Sequence, residues 1–122
     1  MKTLARKHYT QVDGLIKEPN IYRTRTMALD KLCLEIGANK GKETIVLAQV
    51  AKKVLCLTSS VQLEECKSNL EGYDNVTFST DSFKSLQDRH FDFIYITSID
   101  SLDPLLYNKL KEGGLLEYGV QS

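Results

Sequence analysis

The residues able to do chemistry gather in four short stretches of this 122-residue chain. The first is Leu34-Glu35-Ile36-Gly37-Ala38-Asn39-Lys40-Gly41, an apolar run that breaks at a glycine and resumes with helical spacing. Gly37 lets a chain turn off a strand without a Cβ clash, and Gly41 lets the helix that follows approach a sheet closely. A helix starting there points free N–H groups into the space beyond the strand end. The other stretches are Thr58-Ser59-Ser60, Asp81-Ser82-Phe83, and Thr97-Ser98 with Asp100. No catalytic constellation accompanies them, so the chemistry in view is ligand binding at a strand-to-helix turn. A structural metal is not expected. Cys33, Cys56 and Cys66 are an odd number without CxxC spacing, and His8 and His90 lie far from them in sequence. Cys33 and Cys56 sit inside apolar runs, where a thiol acts as a small hydrophobe; free buried thiols in a reducing cytoplasm are expected.

The elements that position these residues alternate regularly. Apolar runs at Leu32–Ile36, Val54–Leu57, Val76–Phe78, Phe93–Ile96 and Leu115–Tyr118 read as strands. Helical spacing is read between them over Lys42–Lys52, Val61–Leu70 and Leu102–Leu110. Strands and helices in this order predict an α/β fold, a doubly wound, mostly parallel sheet of about five strands in three αβα layers. In such a sheet the crevice beyond the strand ends is where ligands bind.

Ahead of the sheet, residues 1–31 read as a separate helix-turn-helix segment, with Pro19 in the turn and Asn20 or Thr24 as a cap of the second helix. Residues 32–122 form the remainder of a single domain. The 16 Lys+Arg balance the 16 Asp+Glu, yet residues 1–30 carry +3 and the rest −3. A basic first segment could steer an anionic partner, and more often is a solvated face. Zero net charge gives no strong nucleic-acid signal. No apolar run approaches the roughly 18 residues needed to cross a bilayer, and the first residues lack a secretory signal, so a cytoplasmic protein is expected.

Four segments together resemble the class I S-adenosylmethionine-dependent methyltransferases, and they cover residues 32–120 in the family's order. Glu35-Ile36-Gly37-Ala38-Asn39-Lys40-Gly41 is similar to the acidic-x-Gly-x-Gly-x-Gly loop, with Asn39 in place of the central glycine. Asp74-Asn75-Val76-Thr77-Phe78, followed by Asp81-Ser82-Phe83, resembles the third strand and its adenine-side acid. Phe91–Ile96 resembles the fourth strand, and Leu110-Lys111-Glu112-Gly113-Gly114 the turn before the fifth. Gly72–Val76, Thr97 and Pro104-Leu105-Leu106 are similar to protein-L-isoaspartate methyltransferases. The resemblance implies S-adenosylmethionine as cofactor and methyl transfer to an unidentified acceptor. It sets Glu35, Gly37, Asn39 and Gly41 around the methionine end, Thr58 near the ribose, and Asp81, Ser82 and Phe83 near the adenine. Thr97, Ser98 and Asp100 would face the methyl group.

The sequence also departs from that pattern. Where the family carries Asp or Glu after the second strand, this chain has Thr58, which lacks the charge that strengthens a hydrogen bond from about 1 to roughly 1.5–3 kcal/mol. The sequence ends just past the fifth strand, so pairing of that edge with a second copy or a partner subunit is expected. A non-catalytic methyltransferase-like subunit or interaction module is the alternative reading. Plainer roles stand beside the functional ones: Glu35 as a helix cap, Phe83 as core, Asp100 or Ser101 as an N-cap, Thr58-Ser59-Ser60 as a capped turn, and Asp92 as a solvated residue where the fourth strand begins.

Overall fold

The computed structural model describes residues 18–38, 40–97 and 101–119, with side chains from Arg23 onward. In chain order it contains α1 (Glu18–Ala28), β1 (Leu32–Ala38), α2 (Lys42–Ala48), β2 (Lys53–Thr58), α3 (Leu63–Asn69) and β3 (Val76–Ser79). A short 3-10 turn (Phe83–Ser85), β4 (Phe91–Ile96), a second 3-10 segment (Pro104–Lys109) and β5 (Leu110–Tyr118) complete it. The strands lie in the order β3-β2-β1-β4-β5, and every neighbouring pair is parallel. This is the doubly wound sheet that the alternating pattern predicts.

The two faces of the sheet are clothed differently. On one, Ala28 of α1 and Leu47 of α2 pack against Cys33, Val54, Phe93 and Tyr95, and Cys66 of α3 packs on Ala38 and Cys56. On the other, Leu34, Leu57, Ile94 and Ile96 meet Leu106 from the second 3-10 segment, with Phe83 and Leu86 from the β3–β4 linker. Strands covered on both faces read as near-continuous apolar runs, which is how the three central ones, β2, β1 and β4, read. All three cysteines are buried free thiols. Burial pushes the Cys33 thiol up to about 12 and raises those of Cys56 and Cys66, so each stays protonated and inert.

Several boundaries differ from expectation, each for a local reason. Helix α2 stops at Ala48 rather than Lys52, because the Lys52 and Lys53 amides turn back to the Lys31 carbonyl at 2.9 and 3.3 Å. The helix expected over Leu102–Leu110 is the 3-10 segment, capped by Asp103, whose carboxylate accepts from the Leu105 amide at 2.9 Å. Asp103, not Ser101, is therefore the cap, while Asp100 lies outside the described residues. Asn20 and Thr24 fall inside α1 rather than at its start. Asp92 is not simply solvated: it accepts from the Leu32 amide at 2.9 Å, which with Lys111 nearby holds its carboxyl below the ordinary range. The first predicted helix lies outside the described residues. Among the described residues no helix is long and apolar enough to cross a membrane.

Candidate functional site

Because all five strands run the same way, their carboxyl ends share one edge. Gly37 and Ala38 end β1, Thr58 ends β2, Asp81-Ser82-Phe83 follow β3, and Thr97 follows β4. Strand order reverses between β1 and β4, since the chain leaves β1 for β2 on one side and returns from β3 to β4 on the other. A crevice opens at such a switch point. The structure thus brings Gly37, Thr58 and Thr97 together along that edge, with the Asp81–Phe83 turn flanking them. Asn39, Ser98 and Asp100 lie outside the described residues.

Gly37 sits at φ +78°, and a Cβ there would come within 3.0 Å of Thr97 Oγ1. The Thr97 hydroxyl donates to the Gly37 carbonyl at 2.8 Å, and its amide bonds the Ile36 carbonyl at 3.1 Å. The end of β4 is therefore latched to the β1 turn, and the glycine keeps that corner narrow. Gly41, at φ +87°, serves a different neighbour from the one expected. Its missing Cβ makes room for Leu70 at the end of α3, whose Cδ2 would lie only 2.6 Å away, rather than for the sheet.

Glu35 does not face open solvent. It is fully buried on the helix-covered face, where one oxygen accepts a short hydrogen bond from the Thr44 hydroxyl in the first turn of α2. Its other oxygen has no hydrogen-bond partner among the described residues. Burial dominates and pushes the carboxyl up to about 8, against the opposing pull of the Thr44 bond. Glu35 thus holds the first turn of α2 to the sheet by a side-chain contact and does not cap backbone amides.

Thr58 is buried, and its hydroxyl donates to the Ala38 carbonyl at 2.6 Å while touching Cys66 Sγ at 3.7 Å. Its proton therefore ties the ends of β1 and β2 together, leaving only oxygen lone pairs for a ligand. Asp81 is exposed, with its amide bonded to Ser79 Oγ at 3.0 Å. Ser82 caps the 3-10 turn, accepting from the Lys84 amide at 3.2 Å. Phe83 packs on the core, in line with its plainer reading.

Three polar residues escaped the sequence reading. Thr44 is fully buried against Glu35. Glu117 is buried in β5 and accepts from Thr24 Oγ1 at 2.5 Å and Arg23 Nε at 2.6 Å, which docks α1 onto the sheet. Part of the basic first segment therefore serves packing. Lys109 is buried beneath the β3–β4 linker. Glu117 alone carried a signal, as a polar residue inside the apolar run Leu115-Leu116-Glu117-Tyr118. At the opposite, amino edge of the sheet, a groove of about 430 Å³ runs along Leu32, Leu55, Leu86 and Phe91. It is remote from the glycine corner.

Comparison with known proteins bears directly on this geometry. The chain superimposes on the tRNA (m1A58) methyltransferase TrmI of Aquifex aeolicus with a TM-score of 0.67 and 22% identity, over 82% of this chain and 44% of that one. It matches DhpI, solved as a complex with SAH, with a TM-score of 0.66 and 21% identity, over 93% and 64%. A SAM-dependent O-methyltransferase of Thermotoga maritima gives 0.66 and 19%, over 81% and 42%. The chain has the Rossmann-like fold of these methyltransferases.

In sequence, the chain is 35% identical over 112 residues to a protein-L-isoaspartate O-methyltransferase of Dictyoglomus turgidum. That match covers 83% of this chain and 50% of the relative, so the chain spans about half the length of the curated protein it matches. No protein-family model matches the sequence.

Proposed function

We propose that this domain binds S-adenosylmethionine along the carboxyl edge of its sheet and transfers the methyl group to an acceptor. The observation that carries the reading is the Gly37 corner at the β1–β4 switch point, a side-chain-free turn at φ +78° pinned by Thr97 and faced by the hydroxyls of Thr97 and Ser101. The site fits the group at its methionine end, where the Thr97 and Ser101 hydroxyls offer polar groups beside the Gly37 turn and Glu35 lies beneath. At the ribose end the fit rests on Thr58, whose hydroxyl proton is already directed to Ala38. Asp81 and Ser82 supply polar groups on the adenine side.

When bound, S-adenosylmethionine supplies a methyl group already activated on a sulfonium, and the leaving group is a neutral thioether. The chain's own residues then need only bind, orient and shield, because in-line positioning supplies much of the rate. Gly37 admits the ligand to the backbone, and Thr97 fixes that corner against β4. Glu35 holds the start of α2 through Thr44. The isoaspartate-type relative supports an oxygen acceptor. The outer edge of β5 pairs with no strand among the described residues, and this supports association there with a second copy or partner subunit.

Titration calorimetry with S-adenosylhomocysteine tests the reading. Submillimolar binding is expected, and Gly37→Ala should weaken it at least about tenfold through backbone strain and contact with Thr97. A folded wild-type protein that binds nothing would overturn the cofactor assignment and leave an interaction module.

A further inference from the structure

Lys109 ends the second 3-10 segment and is only 7% exposed. An ammonium buried without partners is costly, so its surroundings must supply acceptors. Nζ donates to the Leu86 carbonyl at 2.6 Å and Asp88 Oδ1 at 2.7 Å, with a longer contact to the Lys84 carbonyl at 3.4 Å. Three N–H donors on one nitrogen match these three acceptors. Every acceptor belongs to the β3–β4 linker, the same segment that begins with Asp81, Ser82 and Phe83. The backbone repeats the attachment: the Arg89 amide bonds the Asn108 carbonyl at 2.9 Å, and the His90 amide the Lys109 carbonyl at 3.0 Å.

This linker contains no α-helix to hold its own shape. Its front end has a partly buried Phe83 against the core and the local Ser82–Lys84 cap, neither of which bonds its backbone to a neighbouring element. Its back half, by contrast, is largely exposed and relies on Lys109. We propose that Lys109 is a positioning residue of the candidate site. By gripping the carbonyls of Lys84 and Leu86 from beneath, it sets where the Asp81–Phe83 turn stands at the carboxyl edge of β3. The proposal rests on the cofactor reading, in which that turn meets the adenine.

The test uses the full chain as wild type, Lys109→Met and Lys109→Arg, each titrated with S-adenosylhomocysteine and with S-inosylhomocysteine. The two ligands differ only on the purine, so a general loss of stability weakens both alike. Lys109→Met is expected to weaken the adenosyl ligand about tenfold while changing the inosyl ligand little, and Lys109→Arg to restore part of the preference. Amide hydrogen exchange across residues 80–88 should rise in Lys109→Met and stay unchanged in β1 and β4.

A folded Lys109→Met protein with wild-type preference and wild-type exchange overturns the positioning role. So does a wild-type protein that binds both ligands equally. A wild type that binds neither ligand instead removes the cofactor reading itself. Should Lys109→Met fail to fold, Asp88→Asn loosens the same clamp from its exposed partner. It is expected to lower the preference about twofold, and no change there overturns the role.

Discussion

The two faces of this sheet were built under different length constraints. On the helix-covered face, β1 reaches its neighbour β2 through residues 39–52, and β2 reaches β3 through residues 59–75, each with room for a helix. On the opposite face, residues 80–90 must carry the chain from β3 past β2 and β1 to β4. Three inter-strand steps amount to about 14 Å, and the return along the strands adds roughly as much again. A helix made from the whole linker would span only about 16 Å. Extended chain covers more than twice that distance, so the linker runs as a short 3-10 turn between irregular arms. Crossover length thus keeps an α-helix out of the β3–β4 linker, and that linker is the one that depends on individual side chains such as Lys109.

The largest contrast should appear in the core of the helix-covered face. Phe93 is fully buried there among Cys33, Leu47 and Val54. Phe93→Ala is expected to cost about 3–5 kcal/mol, read from the urea midpoint at constant m-value. A loss near 1 kcal/mol would mean that this face is loosely packed and would erase the distinction.

The same face carries the pH dependence. The folded protein holds the Glu35 proton up to about pH 8, against an ordinary value of 4.5. The folded state therefore binds a proton that the unfolded state has released, and stability falls as pH rises between those values. The contribution is fully present below pH 4.5 and lost once pH passes 8. Glu35→Gln removes the titration, so the wild-type and variant stability curves should diverge by about 4 kcal/mol between pH 5 and 9. Parallel curves would show that Glu35 finds a charged partner.

Much of this was legible from residue types. Apolar runs at Leu32–Ile36, Val54–Leu57 and Phe93–Ile96 are strands buried on both faces, and burial of that kind leaves a continuous signature. The glycine corner was legible because only glycine tolerates φ +78° at Gly37 with Thr97 so close. The 3-10 segment at Pro104–Lys109 was not, because Leu102, Leu105, Leu106 and Leu110 carry helical spacing. Its form is set by Asp103 and Pro104 at its start and by the strand hydrogen bonding that begins at Leu110. The burial of Glu35 and the direction of the Thr58 hydroxyl escaped for a related reason. Sequence gives the position of such a residue, whereas its partner across the fold, Thr44 or Ala38, decides what it does.

A smaller effect belongs to the junction of α2 and α3. Gly41→Ala forces a side chain into φ +87° and against Leu70 Cδ2 at 2.6 Å. Leucine's flexible end yields part of the clash, so a cost of about 1–2 kcal/mol is expected, mostly backbone strain. A doubly substituted Gly41→Ala, Leu70→Ala protein separates the terms. If strain dominates, shortening Leu70 recovers little of the loss and adds its own cavity cost.

The smallest effect should come from the thinly covered face. Leu116 is half-buried in β5 and only flanks the cluster around Ile94 and Leu106. Leu116→Ala therefore loses a fraction of its burial, about 1 kcal/mol, well below the Phe93 value. Denaturation at two protein concentrations gives this number a second use. Within a monomer the cost is the same at both, whereas pairing through the β5 edge buries Leu116 further in the associated form. The cost would then grow at the higher concentration, because mass action favours the state that hides it. A cost independent of concentration over a hundredfold range rules out association at that edge under those conditions and leaves the contrast between the two faces as a property of the single chain.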